Sequence, residues 1–532
     1  MRRVTVHWFD DPLHQSSQPD TLWSTVNTAE VLSGVLTPLA WTFWNRPCEL
    51  GMRGAFADLG VLPPSGVTFA AAPDERFSAA FFGRYAANVE ALRQMADAMP
   101  GTSANALEEQ LLGSVRPGVE SNTRYRRYPI VVAKLLATVR RLPRDLARLR
   151  PEIDGWWRTS VSAAPTASAS VARDLFADAM ARFERVMRAH AAATMLCQAM
   201  YQQVASLAST AGVPGLETSL LTGLGDVEET AVVADLWRVA HDELALETFL
   251  DRHGYHGPDE GQLGSHSWRE EQAPLLLQLP HFKGLDGDRS PEASSRSRRD
   301  VRAAAEADLL RALSPPRRVG ARLVLSLAKR FVPLREVGKA AFLQTIDVAR
   351  ASARVLGEHL VAAGTLAEVE DVFFLTADEL LGEVPSQSRD AVAFRRARYR
   401  EYVELDLPDS WTGMPEPQRR RDRATTGELR GIAVSPGVYE GTAAVVLDPA
   451  VDGVEAGDVL VCRTTDPSWA TLMYLAGALV IDIGGPISHG AIVARELGVP
   501  CVINTKVAVD SLVSGQRVRV DGGAGTVTPL LQ

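Results

Sequence analysis

Between about residue 70 and residue 405, apolar side chains return every three or four positions, the spacing of helices that bury one face. The period runs through 80–99, 130–149, 171–210, 228–252, 301–313 and 319–363, and each stretch is predicted helical. Pro143 and Pro333 are expected to break or kink two of them, since proline lacks the amide a helix interior needs. The stretch 171–210 is rich in Ala, Met and Leu, contains no Pro or Gly, and predicts a central helix packed on several sides. Its series Met180, Met187, Met195 and Met200 reads as core filling, with an adaptable apolar pocket as the alternative. Lys283 to Arg299 breaks the period with Gly, Asp, Ser, Arg and Pro, and predicts a mobile loop or disordered insertion.

Near residue 430 the texture changes to short β-rich runs: 431–434, 441–446, 458–462, 478–483, 501–504 and 517–521. Turns with Gly, Pro and Asp separate them, helices are expected over 467–476 and 490–497, and 518–527 reads as a closing β-hairpin. Pro415 to Pro417 and the basic stretch to Arg423 form a linker candidate. The expected organisation is multidomain, a large mainly α-helical domain over 1–425 followed by a small α/β domain over 426–532.

The chain's 532 residues allow several domains, so core size is no constraint. A net charge of −9 argues against non-specific nucleic-acid binding. The sequence shows neither a signal-peptide core nor a transmembrane run, and a cytoplasmic protein without membrane attachment is expected. Cys48, Cys197, Cys462 and Cys501 are widely spaced; they read as reduced buried thiols, and no metal site is expected.

The most informative segment is Gly484-Gly485-Pro486-Ile487-Ser488-His489-Gly490-Ala491. It places a histidine where an apolar run turns through glycines into a helix. The first amides of a helix lack intrahelical partners and favour negative charge, so a phosphoryl group on that ring would be solvated by them. With its continuation to Pro500, the segment resembles the swivelling phosphohistidine domain of the phosphoenolpyruvate-utilising enzymes. The resemblance implies that His489 carries phosphate, supported by Gly485, Ser488, Gly490 and Arg495. Ile487 stands where dikinases have threonine, which leaves any local hydrogen bond to Ser488.

Asn27 to Glu30, Leu36 to Trp41, Phe249 to Glu260, Trp268 to Glu271, Leu334 to Lys339 and Asp371 to Leu375 form short islands in the helical part. By these islands it resembles the drug-binding domain of rifampin phosphotransferase. Arg335 and Lys339 are four apart on a predicted helix and share a face. A solvated face is the usual meaning of such a pair, but the resemblance puts these two where phosphate is delivered. It also implies that Glu30, Asp259, Glu260 and Arg269 bind substrate. His256 stands where the family tends to have a basic residue and is the candidate base for an acceptor hydroxyl.

The sequence contains no Gly-x-x-x-x-Gly-Lys-Ser/Thr loop and no stretch long enough for an ATP-grasp domain. The expectation is a phosphotransferase acting on a hydroxyl of a hydrophobic small molecule. His489 would be charged by a separate ATP-grasp protein, with ATP and Mg reaching the reaction only through that partner. Two alternatives are a biosynthetic enzyme that uses the scaffold for phosphorylation-driven elimination or condensation, or for phosphate-independent chemistry, and a non-catalytic protein that sequesters an apolar ligand.

Overall fold

The computed structural model describes residues 11–530 except 27, 29–31, 33, 101, 113, 124, 214, 225–227, 286, 288–289, 383, 385–386, 420–426, 448–452, 466–468 and 486–487. The side chains of Gln110, Glu228, Glu229, His489 and Glu496 also lie outside the described set. The boundary expected at 425/426 falls on an undescribed stretch.

The helical part is built around Leu334–Ala362, which is buried on nearly every side from Gly338 to Gly357. A helix apolar all round belongs inside a core, and this one is enclosed chiefly by Ala169–Thr210, Tyr128–Ala163 and Val369–Phe374. The helix expected at the centre, Ala169–Thr210, is present at almost its predicted length. It packs on several sides, as expected: its buried positions meet that hub and also Pro38–Asp58, where Phe43 lies against Phe176 and Phe183. Met187 is buried in the same core, and Met180, Met195 and Met200 pack against it.

Four expectations are corrected. Tyr128–Ala163 is not broken at Pro143, whereas Pro333 does separate Pro315–Phe331 from Leu334–Ala362. The stretch 228–252 divides into Glu228–Ala240 and Leu246–His253, with Asp242 in the left-handed region between them. The expected insertion 283–299 is helical from Pro291, within Pro291–Ala312. There Ser290 caps the first turn by accepting from Ala293 N, and Pro291 fills a position whose amide would be unused. The stretch 80–99 is mostly not helical. Ser78–Phe81 and Arg84–Asn88 pair as an antiparallel hairpin, and only Val89–Asp97 is helix. Leu22–Ser24 and Ser410–Thr412 complete that four-stranded sheet.

The C-terminal part is an eight-stranded sheet. At its middle Val438–Val446, Val459–Cys462, Ala478–Ile481 and Cys501–Ile503 run parallel, so their carboxyl ends share one edge. Arg517–Asp521 and Thr526–Pro529 form the expected hairpin beside them. One face of this sheet shares a hydrophobic core with the helical part: Leu236, Trp237, Phe249 and Phe282 meet Leu472, Met473, Tyr474 and Leu479. Phe282 and Tyr474 stack with ring centroids 5.7 Å apart. All four cysteines are buried thiols, and no helix among the described residues is long and apolar enough to cross a membrane.

Candidate functional site

Open parallel sheets bind ligands at the carboxyl ends of their strands. At that edge Ala478–Ile481 runs through Asp482 to Gly485 and, after the undescribed 486–487, into the helix His489–Leu497. Ser488 is the N-cap, and its hydroxyl accepts from Ala491 N at 3.2 Å. Ser488 N in turn donates to Gly485 O at 3.0 Å. His489 is therefore the first residue of the helix, beside amides with no partner in the turn before.

At two positions of the corner a side chain would displace its neighbours. A Cβ on Gly484 would stand 2.3 Å from Ile503 Cδ1, and one on Gly490 would stand 2.6 Å from Ile481 Cδ1 and 2.8 Å from Thr465 Oγ1. Of the expected supports, Gly485 accepts from Ser488 N through its carbonyl, Ser488 caps the helix, and Gly490 lies in its first turn. Arg495 is six residues farther on, in the last turn, where its Nε donates to Val434 O at 2.8 Å. Its charge lies at the helix end opposite the histidine.

The carboxyl edge faces a cleft of about 550 Å³ between the two parts of the chain. Arg463, Asp482, Ile483 and Lys506 line one side; Val35, Arg84, Tyr85, Tyr399 and Asp409 line the other. Lys506 forms an ion pair with Asp409 across it. Arg84 is committed to the carbonyls of Phe82, Tyr402 and Leu405. Asp482 is held by Thr505 Oγ1 at 2.7 Å and by the amides of Ala508 and Val509. Burial raises its pKa, and those hydrogen bonds oppose the rise. Sequence reasoning missed Arg463, Asp482 and Lys506. Each simply follows an apolar run, and only the order of strands brings the three to one rim.

Residues 454–525 match the family model described as PEP-utilising enzyme, mobile domain. Over most of its length the sheet domain is similar to that mobile domain. Residues 243–336 match the rifampicin phosphotransferase fourth domain, the part that packs against the mobile domain and leads into Arg335. The chain is 34% identical over 298 residues to a rifampicin phosphotransferase of Streptomyces sviceus, covering 53% of this chain and 34% of that one. It is 33% identical over 208 residues to the rifampicin phosphotransferase of Bacillus subtilis, covering 38% and 24%. The chain thus spans about a third of the length of the first of these relatives and less of the second.

Away from the mobile domain, Arg335 and Lys339 come together in the first turns of Leu334–Ala362. Both approach the buried Glu336, whose carboxylate lies 2.8 Å from Arg335 Nη1 and 3.9 Å from Lys339 Nζ. His190, on the neighbouring helix, was not anticipated. Its Nδ1 is 3.1 Å from Arg335 O, and its ring packs on Phe342 and on Gly338. Burial first, then the charge of Arg335, lowers the His190 pKa to about 3, so the ring is neutral and donates that bond.

His256 and Glu260 form a buried pair, with Nδ1 2.8 Å from Oε2. The His256 ring lies between Tyr255 and Trp268, and Asp259, beside them, has φ +49°. Arg350 fixes the turn by donating to the carbonyls of Glu260 and Gln262. Arg269 is bound to the buried Asp347 through two contacts of 3.2 Å, and Trp157 Nε1 donates to the same carboxylate at 2.8 Å. Arg350 lies roughly 16 Å beyond Lys339 along their helix at 1.5 Å per residue. The His256 turn is thus anchored to the hub helix about three turns beyond the Arg335–Lys339 pair. Glu30 lies outside the described residues.

Proposed function

We propose that the chain is a phosphohistidine-dependent phosphotransferase that moves phosphate from His489 to a hydroxyl of a hydrophobic small molecule. The observation that carries this reading is the His489 corner: a histidine opening a helix, packed by glycines, on the carboxyl edge of a parallel sheet facing an interdomain cleft. Charging is assigned to a separate ATP-grasp protein, which binds ATP and Mg, and the cytoplasm is the compartment where such a partner and its ATP meet the chain. The curated relatives named rifampicin phosphotransferase support the reaction class.

Transfer proceeds in two steps. The neutral ring nitrogen of His489 forms a bond to phosphorus while the donor's leaving oxygen departs with its electron pair. The acceptor oxygen then displaces the imidazole and gives its proton to a base. His256 is assigned that role, since Glu260 at Nδ1 orients its ring and leaves Nε2 as the proton acceptor. Arg335 and Lys339 supply positive charge to the migrating group, and Asp259, Glu260, Arg269 and Glu30 belong to the acceptor side. One histidine serves two sites by swivelling of the mobile domain.

The test is intact-protein mass spectrometry after incubation with ATP and candidate ATP-grasp proteins. A labile gain of one phosphoryl group, absent from His489→Ala, is expected. If an acceptor is found and His489→Ala still turns it over at the full rate, the phosphate-independent reading replaces this one.

A further inference from the structure

We propose that Arg463 and Thr464 form an oxyanion subsite that holds the phosphoryl group while His489 carries it. This rests on the reading of His489 as a phosphoryl carrier. The two residues stand at the carboxyl end of Val459–Cys462, the strand next to the one that leads into the histidine corner. Among the described residues, the buried atoms Arg463 Nε and Thr464 Oγ1 have no hydrogen-bond partner. Buried donors are almost always matched, so two adjacent unmatched ones at a strand end mark a place built for a ligand.

The subsite is next to the carrier. Ile483 N donates to Arg463 O at 2.8 Å, and Thr465 Oγ1 would be 2.8 Å from a Cβ on Gly490. The segment 463–465 thus flanks the corner at both ends, from the strand exit to the start of the histidine helix. Arg463 lines the interdomain cleft, and its one ion-pair contact is a 3.5 Å approach to Asp510. The other carboxylate on that rim, Asp482, is turned onto Thr505 and two amides. A guanidinium and a hydroxyl with unmatched buried atoms thus stand on the segment that flanks the opening turn of the histidine helix. Arginine can grip two phosphoryl oxygens at once, and the threonine hydroxyl can donate to one of them.

Phosphoramidate tests this on the full chain without the ATP-grasp partner. The lone pair of a ring nitrogen forms the N–P bond as the P–N bond to ammonia breaks. Ammonia leaves with that electron pair and takes up the proton lost from the ring, giving ammonium. Labelling is followed by intact mass, with the site assigned by its loss in His489→Ala and folding checked by thermal melting. Arg463→Met is expected to label at least about tenfold more slowly, Arg463→Lys to recover part of the rate, and Thr464→Val to slow it a few-fold. Equal rates in wild type, Arg463→Met and Thr464→Val, all folded, overturn the subsite while leaving the carrier intact. Absence of labelling at His489 in wild type overturns both readings.

Discussion

His190 Nδ1 stands 3.1 Å from the carbonyl oxygen of Arg335, so a neutral imidazole clamps the backbone of a residue assigned to phosphate. Its pKa is about 3 in the folded chain against an ordinary 6.5. Between those values the unfolded chain binds the extra proton and the folded chain does not, so stability falls as pH drops from about 6.5 towards 3. The loss approaches about 1.4 kcal/mol per pH unit for one group. Urea midpoints at pH 7 and pH 5 should therefore differ less in His190→Gln, which can still donate to Arg335 O, than in wild type. An unchanged difference counts against the clamp.

Asp347 is the common partner of Arg269, Arg350 and Trp157. Removing it takes the shared carboxylate from the buried Arg350 and the half-buried Arg269, and Asp347→Ala should cost about 3–5 kcal/mol of unfolding free energy in denaturant titrations. A cost within the range of a surface substitution would mean that the network relaxes around the loss.

The corner itself can be tested by size alone. Gly490→Ala forces a methyl group against Ile481 and Thr465, and should destabilise the mobile domain by about 1–3 kcal/mol. Local hydrogen exchange in 478–497 should rise with it. Gly498→Ala, whose Cβ meets nothing within 4 Å but whose φ is +68°, separates backbone strain from overlap.

Across the cleft, Lys506 and Asp409 are both exposed, so their pairing contributes less than about 1 kcal/mol. Lys506→Met should leave the melting temperature nearly unchanged. The variant should nevertheless broaden the distance distribution between spin labels on the two parts at low salt, to the width wild type shows at high salt. Equal distributions in both proteins would show that the pair does not hold the parts together.

Long helices and the sheet domain were legible because their periodicities are sustained: Ala169–Thr210 starts two residues before the predicted stretch and ends with it. The hairpin at 78–88 was hidden by composition. Ala79, Ala80, Ala86 and Ala87 fit either period, and the decisive signal is local: Phe82 and Gly83, both at positive φ, make a two-residue turn that suits a hairpin. Its sheet partners, 22–24 and 410–412, are too far apart in sequence for any window to join. The same distance concealed the site. The histidine corner is one contiguous motif and can be read directly, whereas Arg463, Lys506 and Asp409 become neighbours only after strand order and docking are known. The first part of helix Pro291–Ala312, up to Arg299, was misread for a different reason: most of its surface faces water, so its serines and arginines resemble a loop, whereas 301–313 was expected as helix.

The apolar seam that joins Phe282 to Tyr474 and Trp237 to the sheet's helices bears on how far the histidine can travel. A mobile domain leaving alone would expose both sides of that seam, at about 25 cal/mol for every square ångström wetted. Taking 228–285 along as cargo keeps the seam dry. The strain then falls on ties within that block, where Arg350 and Arg354 of the hub helix hold the carbonyls of residues 260–265 beside the His256 turn. The histidine's reach would then be governed by that tether as much as by the linker near 425.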